Sequence, residues 1–227
     1  MQWTDLPAPV LAQLRQGAVI PAHPLALSPD RQFDAQSQRA ISRYYLDAGS
    51  GGLAVGVHST QFAIREVGLY RPVLELAIET ARDWTDRPLV MIAGAVGKTA
   101  QAVDEARTAR AIGYHAVLLS LAAMKGASED ELIGHCTAVA REMPLIGFYL
   151  QTAVGGIPLS RAFWARFAAI DNIVAIKVAP FNRYRTLDVA FGIAQAHAED
   201  RITLYTGNDD HIVADLVTPL VVRTGNR

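Results

Sequence analysis

The sequence predicts a (β/α)8 barrel that occupies residues 1–227 as one domain, although its pattern also allows an open, doubly wound sheet. Short apolar runs rich in β-branched residues recur along the chain, and a helical pattern separates each run from the next. A length of 227 residues suits one such barrel. No internal repeat, low-complexity segment or linker divides the chain. We therefore expect seven or eight βα units around one core.

Seven apolar runs predict strands. The first of them leads into Pro21 and Pro24, which keep the following loop extended. The predicted strands are 18–20, 53–57, 88–93, 116–121, 144–150, 172–181 and 201–206. An eighth strand can only be 220–223, because few residues follow it and none remain for a final helix. The sequence therefore predicts a barrel that is truncated at its C-terminus.

The segments between these strands predict helices. Ser128 and Ser160 are good N-caps, since a serine hydroxyl accepts a hydrogen bond from a free N–H group of the first turn. Gly113 is a typical helix stop. The predicted helices are 33–48, 66–85, 99–112, 129–142, 160–169, 186–198 and a short one at 210–216.

Composition narrows the class of protein. The chain is 51% hydrophobic and 19% charged, with a formal net charge of −1 and no basic patch that would indicate nucleic-acid binding. The single cysteine, Cys136, excludes an internal disulfide and fits a reducing compartment. The N-terminal residues do not resemble a signal peptide, and no run approaches the ~18 apolar residues of a membrane span. We therefore expect a cytoplasmic enzyme with no membrane partner.

One lysine lies inside an apolar run. Lys177 follows Ile173 to Ile176 and precedes Val178 and Ala179, in a strand that the pattern predicts to be buried on both faces. Burial disfavours an ammonium and favours the free amine, which is the form that attacks a ketone to give a Schiff base. The alternatives are a lysine that reaches the surface, pairs with a carboxylate or binds a phosphate.

Other chemically useful residues follow strands, where barrel enzymes place their active sites. His23 and His58 follow the first and second strands, Tyr149 lies at the end of the fifth, and residues 207–210 follow the seventh. Tyr149 and Lys177 occupy matching positions on consecutive strands, so we expect their side chains to meet over the barrel mouth. A phenol beside a neutral amine is a plausible acid–base partner; a core aromatic is the alternative. Asp209 and Asp210 suit a cation site less well than a helix N-terminus, and no histidine shows metal-ligand spacing.

These features resemble the dihydrodipicolinate synthase/N-acetylneuraminate lyase family of Schiff-base aldolases and lyases. The family's lysine motif, G-I-K-x-A, is matched by residues 175–179 apart from alanine for glycine, and residues 206–210 are similar to its strand-seven exit. The family's catalytic tyrosine ends the preceding strand, where Tyr149 lies 28 residues before Lys177. The resemblance implies a homo-oligomeric enzyme that acts on pyruvate or a related 2-oxo acid.

The departures from the family pattern are as specific as the matches. The glycine-threonine-threonine-glycine-glutamate turn that holds the substrate carboxylate is replaced by residues 56–60, so His58 or Ser59 would have to replace a threonine in the proton relay. The synthase's arginine for its second substrate falls near Val154, and its strand-four tyrosine falls near residues 122–123. The resemblance also implies a C-terminal helical segment, which this chain lacks. We therefore expect a relative of the synthase and not the synthase itself.

The resulting hypothesis is a class I aldolase, lyase or dehydratase that needs no metal or organic cofactor. Lys177 is the nucleophile, Tyr149 and His58 transfer protons, and the substrate is bound by Ser59, Thr60, Gly207 and Asn208. Two alternatives stay open. One is an aldolase-type enzyme whose His58 performs acid–base work on a substrate other than pyruvate, and the other is a catalytically silent barrel kept for binding or assembly.

Overall fold

A computed structural model describes residues 1–223, whose strands form one parallel sheet of six in the order β1-β2-β3-β4-β5-β6. The strands are β1 Gly52–Val55, β2 Val90–Ala95, β3 Ala116–Leu119, β4 Leu145–Leu150, β5 Ile173–Ala179 and β6 Thr203–Thr206. They correspond to six of the predicted strands. Strands of consecutive number pair side by side, which is the order of a barrel wall and not the reversed order of a doubly wound sheet.

Within residues 1–223, eight α-helices and five short 3-10 helices connect and flank the strands. The α-helices are α1 Ala8–Gln16, α2 Ala35–Asp47, α3 Tyr70–Trp84, α4 Thr99–Ile112, α5 Glu129–Ala140, α6 Arg161–Ala168, α7 Arg183–Gln195 and α8 Ile212–Val217. The 3-10 helices are Trp3–Asp5, His58–Thr60, Phe62–Arg65, Ala122–Met124 and Thr152–Val154. Ser128 and Ser160 cap α5 and α6 as predicted, and Gly113 ends α4 with a φ of 105°. None of the described helices combines the length and apolarity needed to cross a membrane.

Two hydrophobic clusters define the inner and outer faces of the sheet. The outer cluster joins the strands to helices α3 to α7. The inner cluster joins residues of β1 to β5 to Val10 and Leu14 of α1. On β4, Ile146 belongs to the inner cluster and Leu145 to the outer one, as the two-residue period of a strand requires. Helix α1 therefore closes the inner face of the sheet.

The N-terminal segment is fixed to the edge of the sheet where the strands begin. The Asn172 side chain, just before β5, accepts from Trp3 N at 2.8 Å and donates to Met1 O at 3.1 Å and Ala140 O at 2.7 Å. From β6, the Tyr205 hydroxyl donates to Leu14 O at 2.7 Å. The Asn172 contacts lie at the N-terminal end of β5, whereas Tyr205 holds α1 from the position on β6 that pairs with Lys177.

Two predicted strands are wrong. The segment 18–20 runs beside β1 but forms only an isolated bridge between Ala22 and Ala54, because Pro21 and Pro24 carry no N–H to extend a ladder. The segment 220–223 forms no strand, and Val221 is 79% exposed. The described residues therefore form a curved six-stranded wall covered by helices, and not an eight-stranded barrel.

Arg201 fixes the start of β5, the strand that carries Lys177. Its guanidinium donates to the carbonyls of Ala168, Ile170, Asp171 and Ile173 at 2.6 to 3.1 Å. These carbonyls lie at the end of α6 and in the turn to β5, where the helix leaves its last carbonyls without partners. One planar cation therefore satisfies four acceptors.

We expect Arg201→Ala to lower the free energy of unfolding by about 2 kcal/mol, since hydrogen bonds to a charged donor contribute about 1.5–3 kcal/mol each and water replaces part of them. Arg201→Lys should recover little, because one ammonium does not reproduce the planar fork. Urea unfolding measures both. The control is Arg141→Ala, at an exposed arginine, with an expected change within about 0.5 kcal/mol. Equal stability of Arg201→Ala and wild type would contradict this account.

Candidate active site

Lys177 lies on the inner face of β5, in a row of side chains that crosses three strands. It pairs with Phe148 of β4 on one side and with Tyr205 of β6 on the other. The Lys177 ammonium nitrogen lies 5.0 Å from the centre of the Phe148 ring, at cation–π distance. Burial lowers the pKa of Lys177, and the negative charge of Asp209 opposes this shift. Lys98 and Lys125 are exposed, so the three lysines of the chain divide into one half-buried and two surface residues.

Gly207 brings the backbone after β6 against the Lys177 side chain. A Cβ atom at Gly207 would lie 3.0 Å from Lys177 Cε and 3.1 Å from Ala179 Cβ, which leaves no room for a larger residue. The Gly207 N–H donates to Val178 O at 2.8 Å, so the approach is fixed by the end of β5. The structure thus brings Lys177 and Gly207 together, as the sequence predicted for two residues of one site.

Tyr149 does not meet Lys177, and this prediction is wrong. Tyr149 pairs with Val178, and both belong to the outer cluster. The Tyr149 hydroxyl donates to Leu159 O at 3.2 Å and accepts from Leu159 N at 3.3 Å, while the ring packs on Trp164 with centroids 5.1 Å apart. Burial raises the pKa of this phenol. The residue is a core aromatic with both hydrogen bonds on the outer face.

A register shift between β4 and β5 explains the error. Leu145 pairs with Ile173 and Ile146 with Ala175, so Val174 is an extra residue in β5. Without it, continued pairing would place Tyr149 opposite Lys177. With it, Phe148 takes that position, and the two-residue period turns Tyr149 to the other face.

The turn after β1 separates into an exposed part and a buried part. His58 and Ser59 are exposed, and the His58 ring stacks on Phe62 with centroids 5.5 Å apart. No hydrogen bond described for residues 1–223 uses the backbone N–H of His58 or Ser59, because both lie in the first turn of a 3-10 helix. These two N–H groups are therefore available to an anion at the C-terminal end of the strands.

The side chains of Thr60 and Asn208 form structural hydrogen bonds, and substrate binding by these two residues stays a prediction. The buried Thr60 hydroxyl donates to His23 O at 2.6 Å and accepts from Gly56 N at 3.0 Å. The buried Asn208 side chain accepts from Phe181 N at 3.0 Å and donates to Asp215 and Thr186 at 2.8 and 3.3 Å. Both groups fix loops that follow strands of the sheet, and their donors are used within the protein.

His23 is enclosed by α2 and does not face the site. Its Nε2 lies 2.8 Å from the Ser42 hydroxyl, and the Gln38 amide nitrogen lies 2.8 Å from Nδ1. Nδ1 also lies 2.9 Å from Pro24 O, so a neutral ring finds a partner in either tautomer, with Nε2–H donating to the Ser42 hydroxyl or Nδ1–H donating to Pro24 O. Burial lowers the pKa of His23, which fits this neutral form. The residue orders the loop after 18–20 and is excluded as an acid–base group.

Sequence reasoning missed a buried ion pair under the turn. Arg65 Nε donates to Glu105 Oε1 at 2.8 Å, and its Nη2 donates to Gly56 O at 3.1 Å and Gly94 O at 3.0 Å. The guanidinium lies 4.4 Å above the Tyr70 ring, and the Tyr70 hydroxyl also donates to Gly94 O at 2.7 Å. This Arg65–Glu105 pair fixes the ends of β1 and β2, and with them the turn at His58 and Ser59.

One sequence signal could have identified the pair. Glu105 shares the inward face of α4 with Ala102, Ala106 and Ala109, and a carboxylate in an apolar stripe requires a buried cationic partner. Within residues 1–223, no group of three or more histidine, cysteine, aspartate or glutamate side chains could hold a metal ion. The described site is therefore built around one amine.

Comparisons with known proteins identify sequences and structures that this chain resembles. The family model described as "Dihydrodipicolinate synthetase family" matches residues 16–218. The chain is similar to a 4-hydroxy-tetrahydrodipicolinate synthase of Moorella thermoacetica, with 26% identity over 86% of this chain and 65% of the relative. It is also similar to N-acetylneuraminate lyase 2 of Escherichia coli, with 25% identity over 88% of this chain and 63% of the relative. The chain thus spans about two thirds of the length of the curated relatives it matches.

Solved structures show the same fold. A prophage protein of the dihydrodipicolinic acid synthase family from Escherichia coli, solved in complex with pyruvate, superposes with a TM-score of 0.75 at 21% identity, over 87% of this chain and 65% of that one. A Clostridium difficile protein solved in complex with mannosamine gives 0.77 at 15% identity, over 88% and 67%. These likenesses show that the six-stranded wall follows the barrel fold of that group.

The Arg65–Glu105 pair gives a stability prediction. Removal of one partner leaves a buried charge unpaired, so Arg65→Met and Glu105→Leu should each cost about 3–5 kcal/mol, and the double variant should cost less than the sum of the two. The exposed Arg71–Glu75 pair is the control, since its single variants should each change stability by less than about 0.5 kcal/mol. Urea unfolding of the four single variants and the double variant measures this coupling. Additive losses at Arg65 and Glu105 would contradict it.

Proposed function

Because the chain belongs to the dihydrodipicolinate synthetase family, we propose that it forms a Schiff base between Lys177 and a pyruvate-like 2-oxo acid. One observation carries the proposal. The only lysine held in the sheet is half-buried on the inner face between Phe148 and Tyr205, with its pKa lowered by desolvation. A lowered pKa increases the fraction of free amine that a lysine offers at a given pH, and the free amine is the nucleophile.

In the proposed reaction, the Lys177 amine attacks the ketone carbon of the 2-oxo acid. Loss of water gives an iminium ion, which withdraws electrons from the adjacent carbon. That carbon can then lose or gain a carbon–carbon bond, or lose a leaving group. The reaction class is therefore an aldolase, lyase or dehydratase, and no residue described here is assigned to a metal or an organic cofactor.

The substrate carboxylate is proposed to bind at the turn after β1. The free N–H groups of His58 and Ser59 supply two donors, and the Ser59 hydroxyl supplies a third. The Arg65–Glu105 pair keeps these donors in place through Gly56. Gly207 completes the proposed site, since its missing side chain leaves space beside the Lys177 amine.

His58 is proposed to exchange protons with the substrate, which is the role that the family resemblance implies for Tyr149. Its ring is exposed and is held in orientation by Phe62. Histidine is the side chain whose ordinary titration lies nearest to neutral pH, which suits general acid–base work. His58 follows β1 and Lys177 lies near the end of β5, so both stand at the C-terminal end of the wall.

The substrate class is supported by relatives, one of which was solved with pyruvate. We propose an electrophile or product different from that of the synthase, because Val154 and residues 122–123 replace the arginine and the tyrosine that the family resemblance assigns to the synthase reaction. Both stretches lie in short 3-10 helices that follow β3 and β4 in the chain. A homo-oligomer remains a prediction from the resemblance, and a cytoplasmic location remains a prediction from the composition.

Borohydride trapping with pyruvate tests the nucleophile. We expect intact mass and peptide mapping to show one reduced adduct on Lys177, and none in Lys177→Met. Lys125→Met is the control, because Lys125 is exposed and distant in sequence from β5. Since burial lowers the pKa of Lys177, adduct formation should rise with pH and level off below the pH at which an exposed lysine loses its proton. A folded wild type that forms no adduct would leave a catalytically silent barrel.

The variant Tyr149→Phe tests whether the Tyr149 hydroxyl stabilises the outer face of the sheet or takes part in catalysis. We expect this variant to form the Lys177 adduct at the wild-type rate, because the phenol faces α6 and not the amine. Its free energy of unfolding should fall by about 1–2 kcal/mol, since Leu159 loses hydrogen bonds inside the protein. Trapping rates and urea unfolding of the same sample measure both effects. Loss of trapping at full stability would return Tyr149 to the mechanism.

A further inference from the structure

A narrow cleft lies at the C-terminal ends of β3 and β4. Its volume is about 240 Å³, and part of that space is open to solvent. The ends of the two strands and the loop after β4 supply the residues that line it, among them Ser120, Ala122, Phe148, Leu150, Ile157 and Leu159. The cleft is therefore at the end of the sheet where the proposed chemistry takes place.

Phe148 connects this cleft to Lys177. It lines the cleft, and it also pairs with Lys177 across β4 and β5, with the Lys177 nitrogen 5.0 Å from the centre of its ring. On the other side of β4, Leu119 pairs with Gly147, so Ser120 falls opposite Phe148 one residue further on. Since neighbouring strands lie about 4.8 Å apart, Ser120 is roughly 10 Å from Lys177 across the sheet. The cleft thus begins one side chain away from the amine.

The lining of the cleft is suited to apolar groups. None of its lining residues is charged, and Ser120 is the one with a polar side chain. Ser120 is only 4% exposed, and its hydroxyl accepts from Ala122 N at 3.4 Å. A charged group placed there would lose its water without gaining a partner, and a chain of several hydroxyls would leave most of them unpaired. An alkyl chain loses no hydrogen bond and gains from burial.

We propose that this cleft binds the tail of a 2-oxo acid held on Lys177, and that the natural substrates carry a short aliphatic tail there. The inference rests on the proposed function. In the Schiff base, C2 of the acid is bonded to the Lys177 nitrogen, and an extended chain advances roughly 1.3 Å per bond. About four bonds therefore take the chain as far as the centre of the Phe148 ring. Carbon atoms from C5 onward reach the cleft.

The position of the tail names the second substrate class as well. For a 4-hydroxy-2-oxo acid on Lys177, cleavage breaks the bond between C3 and C4, and its electrons pass to the iminium to give an enamine. The C4 hydroxyl loses its proton to solvent and becomes the carbonyl of an aldehyde. The tail leaves with this aldehyde, while protonation and hydrolysis of the enamine release pyruvate. The partner of pyruvate in the reverse direction is therefore a short aliphatic aldehyde.

Borohydride trapping with three 2-oxo acids tests the tail site. Pyruvate has no tail, whereas 2-oxohexanoate and 2-oxoadipate have chains of equal length that end in a methyl group and a carboxylate. The measurement is the concentration that gives half of the maximal trapping rate. We expect this value to be roughly tenfold lower for 2-oxohexanoate than for pyruvate, because two carbon atoms are buried. It should be at least about tenfold higher for 2-oxoadipate than for 2-oxohexanoate.

Two variants change the size of the cleft in opposite directions. Ala122→Leu fills it, so the advantage of 2-oxohexanoate over pyruvate should disappear. Ile157→Ala enlarges it, so 2-oxoheptanoate should gain about threefold relative to 2-oxohexanoate. Ala153→Leu is the control for the first variant, because Ala153 is exposed in the same loop region and does not line the cleft. It should keep the wild-type ratio.

Each outcome decides a separate question. Trapping of pyruvate without any advantage for 2-oxohexanoate overturns the tail site and leaves the Schiff-base proposal intact. A preference for 2-oxoadipate also overturns it, and so does an equal loss of the advantage in Ala122→Leu and Ala153→Leu. If Ala122→Leu does not fold, a wild-type preference in Ile157→Ala overturns it instead. Absence of any adduct in the folded wild type overturns the proposed function, and the inference with it.

Discussion

The pairing register between β4, β5 and β6 is the constraint on which the site depends. In a parallel sheet, paired residues project to the same face, so the register decides which side chains surround a given position. The extra residue at Val174 sets Phe148 and Tyr205 on either side of Lys177. Phe148 and Tyr205 flank the amine and leave it half-buried, and this desolvation is the largest effect on its pKa, which the charge of Asp209 opposes.

Much of the fold was predictable because local sequence patterns determine where its strands and helices form. Continuous apolar runs and capping residues give the order and type of elements, and Lys177 is conspicuous as a charge in an apolar run. The partner of Lys177 was not predictable from spacing alone. A separation of 28 residues places Tyr149 opposite Lys177 only if the pairing of β4 with β5 is unbroken. A β-bulge cannot be recognised in a run such as 173–176, because every residue there is apolar.

The polar residues of the site show a second limit of sequence reasoning. Thr60 and Asn208 follow strands, as binding residues do, but loops there also need side chains to satisfy their own backbone N–H and carbonyl groups. Only three-dimensional contacts separate the two uses. Residues such as His58 and Ser59, whose backbone N–H groups are used by none of the hydrogen bonds described for residues 1–223, remain available for chemistry.

The packing of α1 on the inner face of the sheet has a consequence for the order of folding. Helix α1 is synthesised early, yet Tyr205, which holds it through Leu14, follows 191 residues later, and Asn172 is separated from Trp3 by 169 residues. Closing such long loops is slow in comparison with pairing neighbouring βα units. During synthesis on the ribosome, α1 therefore has to wait with Val10 and Leu14 unburied until most of the wall has emerged. Docking of this first helix is expected to be among the last events of folding, and its apolar face a target for chaperones before that.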